Sequence, residues 1–277
     1  MKNKGNLYIL ITAFLWSLGA VFIKVIPLNA LAINGLRSII ALIFFMIYDR
    51  SYKIKINKFV IMAAICLFLT NSLYVLANKL TTAANAIVLQ YSAPIFVLIL
   101  QSIYTKTKPS KEKLFVILIA FVGMIVFFLD SLGGGAIIGN IIAILSGVAF
   151  AGVFFINSLE GASSTDASKL GFLMSFTLSI PFYNDLHLLT PASTLSLLAL
   201  GIFQVGLAYV FFAKGIKLTS AVNSSLISLV EALLNPLWVF IFVGEVPSLY
   251  ALIGGCIVLS AIIINILLDN KEIENAS

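Results

Sequence analysis

Leu80-Thr81-Thr82-Ala83-Ala84-Asn85 returns later in the chain as Leu218-Thr219-Ser220-Ala221-Val222-Asn223, and the same displacement carries Pro109-Ser110 onto Pro247-Ser248. The match holds before and after a long apolar run, so a whole helix with its flanks is repeated. Ten apolar runs can be marked, at 6–25, 30–48, 59–78, 83–104, 113–129, 136–158, 169–187, 192–213, 219–243 and 249–268. Each is near the roughly 20 residues that cross a bilayer as a helix. The repeat pairs the fourth run with the ninth, which gives five runs per half. Five is odd, so the second half must be upside down relative to the first. The expected fold is all-α integral membrane, with ten transmembrane helices as two inverted five-helix repeats over residues 1–132 and 133–277. Asp130-Ser131-Leu132-Gly133-Gly134-Gly135 is the expected linker.

Composition supports burial in lipid. Of 277 residues, 61% are hydrophobic and 10% charged, against about 25% charged in soluble domains. That leaves too little polar surface to cover a globule in water. The runs are continuous, not the alternating segments of about ten residues that build membrane barrels. Backbone groups in lipid must bond internally, so such runs become helices. Lys2 and Lys4 before the first run imitate a leader peptide. The run is of spanning length with no small-x-small cleavage site before Lys24, and it reads as the first span. Cys66 and Cys256 lie inside apolar runs and read as small buried hydrophobes.

The formal charge of +6 raises nucleic acid as a partner, but the basic residues sit in short segments between apolar runs. With the N-terminus inside, the inner segments hold Lys2, Lys4, Arg50, Lys53, Lys55, Lys58, Lys106, Lys108, Lys111, Lys113, Lys169, Lys214, Lys217 and Lys271. Only Lys24, Arg37 and Lys79 of the 17 basic residues fall on or near the outer side. By the positive-inside rule both termini are cytoplasmic, N-in and C-in, in a multi-pass protein of the cytoplasmic (inner) membrane.

Inverted repeats related by an axis in the membrane plane are characteristic of secondary transporters. The repeated Leu-Thr-Thr/Ser-Ala-x-Asn, Ala93-Pro94, Ser228-Leu229-Val230-Glu231-Ala232, Asn235-Pro236-Leu237-Trp238 and Gly244-Glu245-x-Pro247-Ser248 before Ala251-x-x-Gly254-Gly255 resemble the drug/metabolite transporter superfamily, in its EamA-type ten-helix branch. The resemblance covers nearly the whole chain. It departs in the first half, where Lys106-Thr107 stand in place of the Gly-Glu. It implies a central cavity lined mainly by spans 1, 3, 4, 6, 8 and 9, and movement of small metabolites, with export the expected direction.

Glu231 lies about 12 residues into the ninth run, roughly 18 Å deep at 1.5 Å per residue. A carboxylate there costs on the order of 2.5–3.5 kcal/mol on insertion scales. It either binds a cation or a coupling proton, or it is a neutral group bonded between helices. Arg37 in the second run could hold a substrate carboxylate or phosphate, or snorkel outward as Lys24 does. Gln90, Tyr91, Asn71, Tyr74, Gln204 and Tyr209 place amides and phenols at membrane depth, where they bond to each other or line a cavity. Asn85 and Asn223 either cap the fourth and ninth helices or offer helix starts to an anion. Trp16, before Ser17-Leu18-Gly19-Ala20, either stacks on a substrate or packs. Pro94, Pro181 and Pro236 should kink their helices.

No His-Glu-x-x-His, Gly-x-Ser-x-Gly or paired aspartates occur, and no nucleotide-binding loop. The chain is therefore read as neither enzyme nor primary pump, with no metal and no cofactor. The expected function is secondary active transport of a small metabolite (an amino acid, an amine or a related compound) by alternating access. A lipid or lipid-carrier flippase is the alternative. The expected partners are that substrate, a proton among the candidate coupling species, and membrane lipids, with no nucleic acid. The chain is a monomer or homodimer.

Overall fold

The structure, a computed structural model, describes residues 2–23, 25–134, 136–243 and 246–274. Lys24, Gly135 and the Gly244-Glu245 doublet, singled out above, lie outside the described residues. The regular structure of the described residues is all helical, with no strand. The first part holds α1 (Lys2–Ser17), α2 (Gly19–Ile23), α3 (Ala30–Tyr48), α4 (Lys58–Leu80), α5 (Ala83–Gln90), α6 (Ala93–Thr105) and α7 (Lys111–Phe127). The second holds α8 (Ile137–Ser158), α9 (Ser164–Ser179), α10 (Pro191–Ala199), α11 (Ala208–Gly215), α12 (Ala221–Ser228), α13 (Val230–Val243) and α14 (Leu249–Glu274). Tight 3₁₀ turns over Ile180–Leu188 follow α9, and wide π turns over Leu200–Leu207 join α10 to α11.

Among the described residues, seven helices are long and apolar enough to cross a membrane: Ala30–Tyr48, Lys58–Leu80, Ala83–Thr105, Ile137–Ser158, Pro191–Gly215, Ala221–Phe242 and Leu249–Asp269. The other three apolar runs also fall on helices, but shorter ones. α1 has 16 residues, α7 has 17 and α9 has 16. At 1.5 Å per residue these reach about 24–26 Å, short of a core of about 30 Å. Each is extended by its neighbours, α1 by α2, α7 by the 3₁₀ turn Leu129–Ser131 and α9 by the 3₁₀ turns over Ile180–Leu188.

Side-chain caps fix at least seven of the fourteen described helix starts. Asn29, Asn57, Thr82, Ser110, Ser163, Thr190 and Ser220 each accept an amide from the first turn they precede, worth about 1 kcal/mol per cap. The spans Ala83–Thr105 and Ala221–Phe242 are both broken partway, at Tyr91-Ser92 and at Leu229, positions related by the displacement of the sequence repeat. Pro94 explains the first break, because it lacks the N–H that would bond back into α5. Pro236 lies within α13 and does not explain the second. There the Ser225 and Ser228 hydroxyls bond the Val222 and Ser225 carbonyls, competing with the helix ladder.

The outside is apolar and the inside is mixed. Ile103 is 70% exposed, Phe115 65% and Ile241 62%. Lys169, Asn34, Ser38, Ser146 and Asn223 are buried. Exposed apolar surface on this scale marks contact with lipid. Cys66 is partly buried, whereas Cys256 is exposed on α14, so the expectation that both thiols are interior fails for Cys256. Its apolar neighbours along the sequence are the lipid-facing stripe, and sequence alone does not separate that stripe from a core.

Hydrogen bonds fix which helix ends lie together. Asn57 Nδ2 donates to the Gly161 carbonyl at 3.0 Å, and Lys217 Nζ to the Leu159 carbonyl at 2.8 Å. Lys169 Nζ reaches Asp49 Oδ2 at 2.6 Å and the Ser51 carbonyl at 3.0 Å. These define one end of the bundle, the Asn57 end. At the other, Thr81 Oγ1 donates to Asn140 Oδ1 at 2.7 Å and the Ala136 amide to the Leu80 carbonyl at 3.2 Å. Helices α4 and α8 therefore run antiparallel between the two ends.

Candidate functional site

Between the two ends lies a cavity of about 280 Å³. Nine of the eleven residues expected at a site border it: Trp16, Arg37, Asn71, Tyr74, Gln90, Tyr91, Gln204, Tyr209 and Glu231. They come from α1, α3, α4, α5, the break after α5, the π turns, α11 and α13. The arrangement is wider than the six spans implied by the resemblance, since α3 supplies Arg37.

Arg37 is held by neutral oxygens. Its Nε and Nη2 donate to Asn34 Oδ1 at 3.2 and 2.8 Å, Nη1 to Gln204 Oε1 at 3.2 Å, and Nη2 to Asn71 Oδ1 at 3.4 Å. Asn71 is itself tied by its Nδ2 to the Leu67 carbonyl at 3.0 Å. Gln204 donates its Nε2 to the Trp16 carbonyl at 3.3 Å, an acceptor set where α1 ends and α2 begins. Three amides thus fix the guanidinium without neutralising its charge.

Glu231 is held separately. Tyr91 Oη donates to Glu231 Oε2 at 2.7 Å. The two helix breaks place these residues against one another, Tyr91 in the first and Glu231 just past the second. Gln90 Nε2 donates to Ser146 Oγ at 2.7 Å, and the Ser146 hydroxyl in turn donates to the Thr70 carbonyl at 2.9 Å. Among the described residues no ion pair joins Arg37 to Glu231. The cavity therefore presents one guanidinium and one carboxyl group, each hydrogen-bonded to neutral partners.

Aromatic rings close the cavity toward the Asn57 end. Trp16 lies 5.3 Å from Tyr209, 5.9 Å from Phe212 and 6.0 Å from Phe150, centroid to centroid. Phe172 stands edge-on to Tyr209 at 5.4 Å and to Phe45 in a tilted contact at 5.8 Å. Toward the Thr81 end the lining continues through Asn34 to Ile23, which is 39% exposed.

Asn85 and Asn223 do not border the cavity. Asn85 bonds Thr81 and Gly133, and Asn223 bonds Asn6, Thr219 and Asn265. Trp238 donates its Nε1 to Ser17 Oγ at 2.8 Å, an interhelical contact. Sequence reasoning missed Asn34, Ser38, Thr70, Phe150, Phe172 and Asn235, all of which line the cavity. Two had a signal. Asn34 precedes Arg37 by three positions and Asn235 follows Glu231 by four, and both spacings put residues on one helix face.

An all-helical bundle with an apolar outer surface around a small polar cavity is the architecture of a multi-pass membrane protein with room for a small ligand. The chain belongs to the EamA-like transporter family, whose pattern matches twice, over residues 3–129 and 137–267. It is 24% identical over 266 residues to an uncharacterized transporter of Archaeoglobus fulgidus, covering 94% of this chain and 95% of that one. It is 28% identical over 281 residues to the uncharacterized transporter YwfM of Bacillus subtilis, covering 93% and 95%. A solved crystal structure superimposes with a TM-score of 0.78 at 18% identity, over 98% of this chain and 99% of that one. That likeness concerns the fold.

Proposed function

We propose that the protein is a secondary carrier for a small zwitterionic metabolite of amino-acid type, and that Arg37 receives its carboxylate and Glu231 its ammonium group. The observation that carries this reading is a guanidinium and a carboxyl group on one cavity, each hydrogen-bonded to neutral partners and not to the other. A simple amine would leave Arg37 unanswered, and a simple acid would leave Glu231 so. Unpaired charge away from water is costly. A volume of about 280 Å³ is near the low end of ligand pockets, roughly 300–1,000 Å³, which suits one small molecule. Tyr91 holds the Glu231 carboxyl group, Gln90 borders the cavity beside it, and Trp16, Tyr74 and Tyr209 supply ring faces.

Ten crossings, arranged as inverted halves 1–132 and 133–277 with both termini cytoplasmic, are the topology in which this carrier works. The double family match and the gathering of Arg50, Lys53, Lys55, Lys58, Lys169 and Lys217 toward the Asn57 end support that reading. The two halves then exchange conformations to open the cavity to each face in turn. Net export driven by a proton gradient, exchange or the substrate's own gradient is the expected direction.

The test uses purified protein in liposomes and a panel of amino acids, amines and carboxylic acids. A ligand at about 100 times its Kd adds roughly 2.7 kcal/mol to the folded state. Amino acids that stabilise the protein and cross the bilayer only with it support the reading. Scrambling of lipid probes with no flux of soluble compounds would replace it with a flippase.

A further inference from the structure

Two junctions at opposite ends of the bundle are built alike. At the Asn57 end, α1 crosses the turn before α12. A Cβ on Gly5 would stand 2.8 Å from the Leu218 carbonyl carbon, so the glycine lets helix backbone rest on turn backbone. The next residue makes the bonds: Asn6 Oδ1 accepts Thr219 Oγ1 at 2.8 Å and Asn223 Nδ2 at 2.7 Å. Asn265 Nδ2 completes the chain on Asn223 Oδ1 at 2.8 Å.

At the Thr81 end, α8 crosses the turn before α5. A Cβ on Gly139 would stand 2.7 Å from the Leu80 carbonyl carbon. Asn140 Oδ1 accepts Thr81 Oγ1 at 2.7 Å, and Asn85 Nδ2 reaches Thr81 Oγ1 at 3.1 Å. Asn85 Oδ1 also accepts the Gly133 amide at 3.2 Å. The same dipeptide, Gly-Asn, thus meets the same Leu-Thr-x-x-x-Asn at each end.

Each junction joins the leading helix of one half to the hairpin of the other. Both are made in the same molecule, although the cavity is floored by aromatic rings at the Asn57 end and extends toward the Thr81 end. Two latches that closed in alternation would not both be shut here. We propose that the junctions are permanent pivots. The bodies that move in transport are then crossed, α1 with α10–α13 against α8 with α4–α6, and the Gly-Asn pairs are the positioning residues that hold each crossed body together. This rests on the alternating-access reading above.

The test needs no substrate. In protein carrying Cys66→Ser and Cys256→Ser, the pairs Asn6→Cys with Thr219→Cys and Thr81→Cys with Asn140→Cys are introduced together and oxidised, and intact mass counts the disulfides per molecule. A reporter, Gln90→Cys, is then modified by a small membrane-impermeant thiosulfonate from each face of sided vesicles. The expected result is both disulfides in one molecule, with labelling rates from each face within about twofold of the reduced protein. Disulfides that exclude one another, or a disulfide that removes labelling from one face, would overturn the proposal. Labelling of the reduced protein from one face only would count against alternating access itself, and the disulfide count would still decide the pivots. Asn6→Ala and Asn140→Ala, which remove hydrogen bonds that a permanent pivot makes in both states, should lower the melting temperature and leave the ratio of labelling between faces within about twofold. A shift of about fivefold or more, the weight of one net hydrogen bond made in one state only, would overturn the proposal.

Discussion

Tyr91 Oη donates to Glu231 Oε2 at 2.7 Å across two helix breaks that the sequence repeat relates. The carboxylate is thereby aimed by a residue from the other half of the chain, so its position depends on how the halves sit. Tyr91→Phe removes the donor and keeps the ring. A hydrogen bond to a charged group contributes about 1.5–3 kcal/mol. Amino-acid affinity should therefore fall about tenfold or more, with expression and helix content unchanged. Titration of thermal stabilisation measures it.

Arg37→Lys should be as damaging as a neutral substitution. The three amide oxygens around Arg37 are spaced for a planar fork, and a lysine offers a point charge that cannot reach Asn34, Asn71 and Gln204 together. Affinity for a carboxylate-bearing ligand should drop by roughly tenfold to a hundredfold, on the scale of 1.4 kcal/mol per tenfold. Gln204→Ala should give a smaller loss, because it removes one support of the guanidinium. Binding curves for the two variants side by side settle the order.

Asp49 and Lys169 predict an asymmetry in stability. The Lys169 side chain is 0% exposed and its partner Asp49 is 43% exposed. Asp49→Asn leaves a buried ammonium with the Ser51 carbonyl alone, which should destabilise by less than the ~3–5 kcal/mol of a fully buried pair, because Asp49 is itself half in water. Lys169→Met removes the buried charge and leaves Asp49 to water, so it should be far milder. Thermal melts of both variants in detergent, without ligand, provide the comparison.

Orientation can be read with single cysteines in protein lacking Cys66 and Cys256. An impermeant thiol reagent applied to intact cells should label Ser131→Cys and spare Lys53→Cys. The reverse pattern would invert the assignment made from the basic residues.

Much of this architecture was legible in the sequence. The apolar runs all fall on helices because lipid permits little else, and the repeat marked the turns where Asn85 and Asn223 sit. Polar residues at depth were a good guide to the cavity for the same reason: an amide such as Gln204 in hydrocarbon needs either a partner or water. Three things were not legible. The break at Leu229 arises from serine hydroxyls competing with the ladder, which no proline marks. Cys256 faces lipid, and an apolar run does not say which of its faces is outward. Phe150 and Phe172 line the cavity, although as ring residues in apolar helices they look like any core position. The alternative for Asn85 and Asn223, helix start against anion site, needed Asn6 and Asn140, which lie far from them in the chain.

The most direct test of the central claim compares one amino acid with its two truncated forms on the same protein. Leucine, 3-methylbutylamine and 4-methylpentanoate share an apolar body and differ only in the charged groups. Wild-type protein should bind leucine at least about tenfold more tightly than either truncated form. Glu231→Gln should erase the advantage over the acid, and Arg37→Gln the advantage over the amine. Equal binding of all three by the wild-type protein, or an advantage for leucine that survives both substitutions, would contradict the assignment of Arg37 and Glu231 as the two ends of the substrate site.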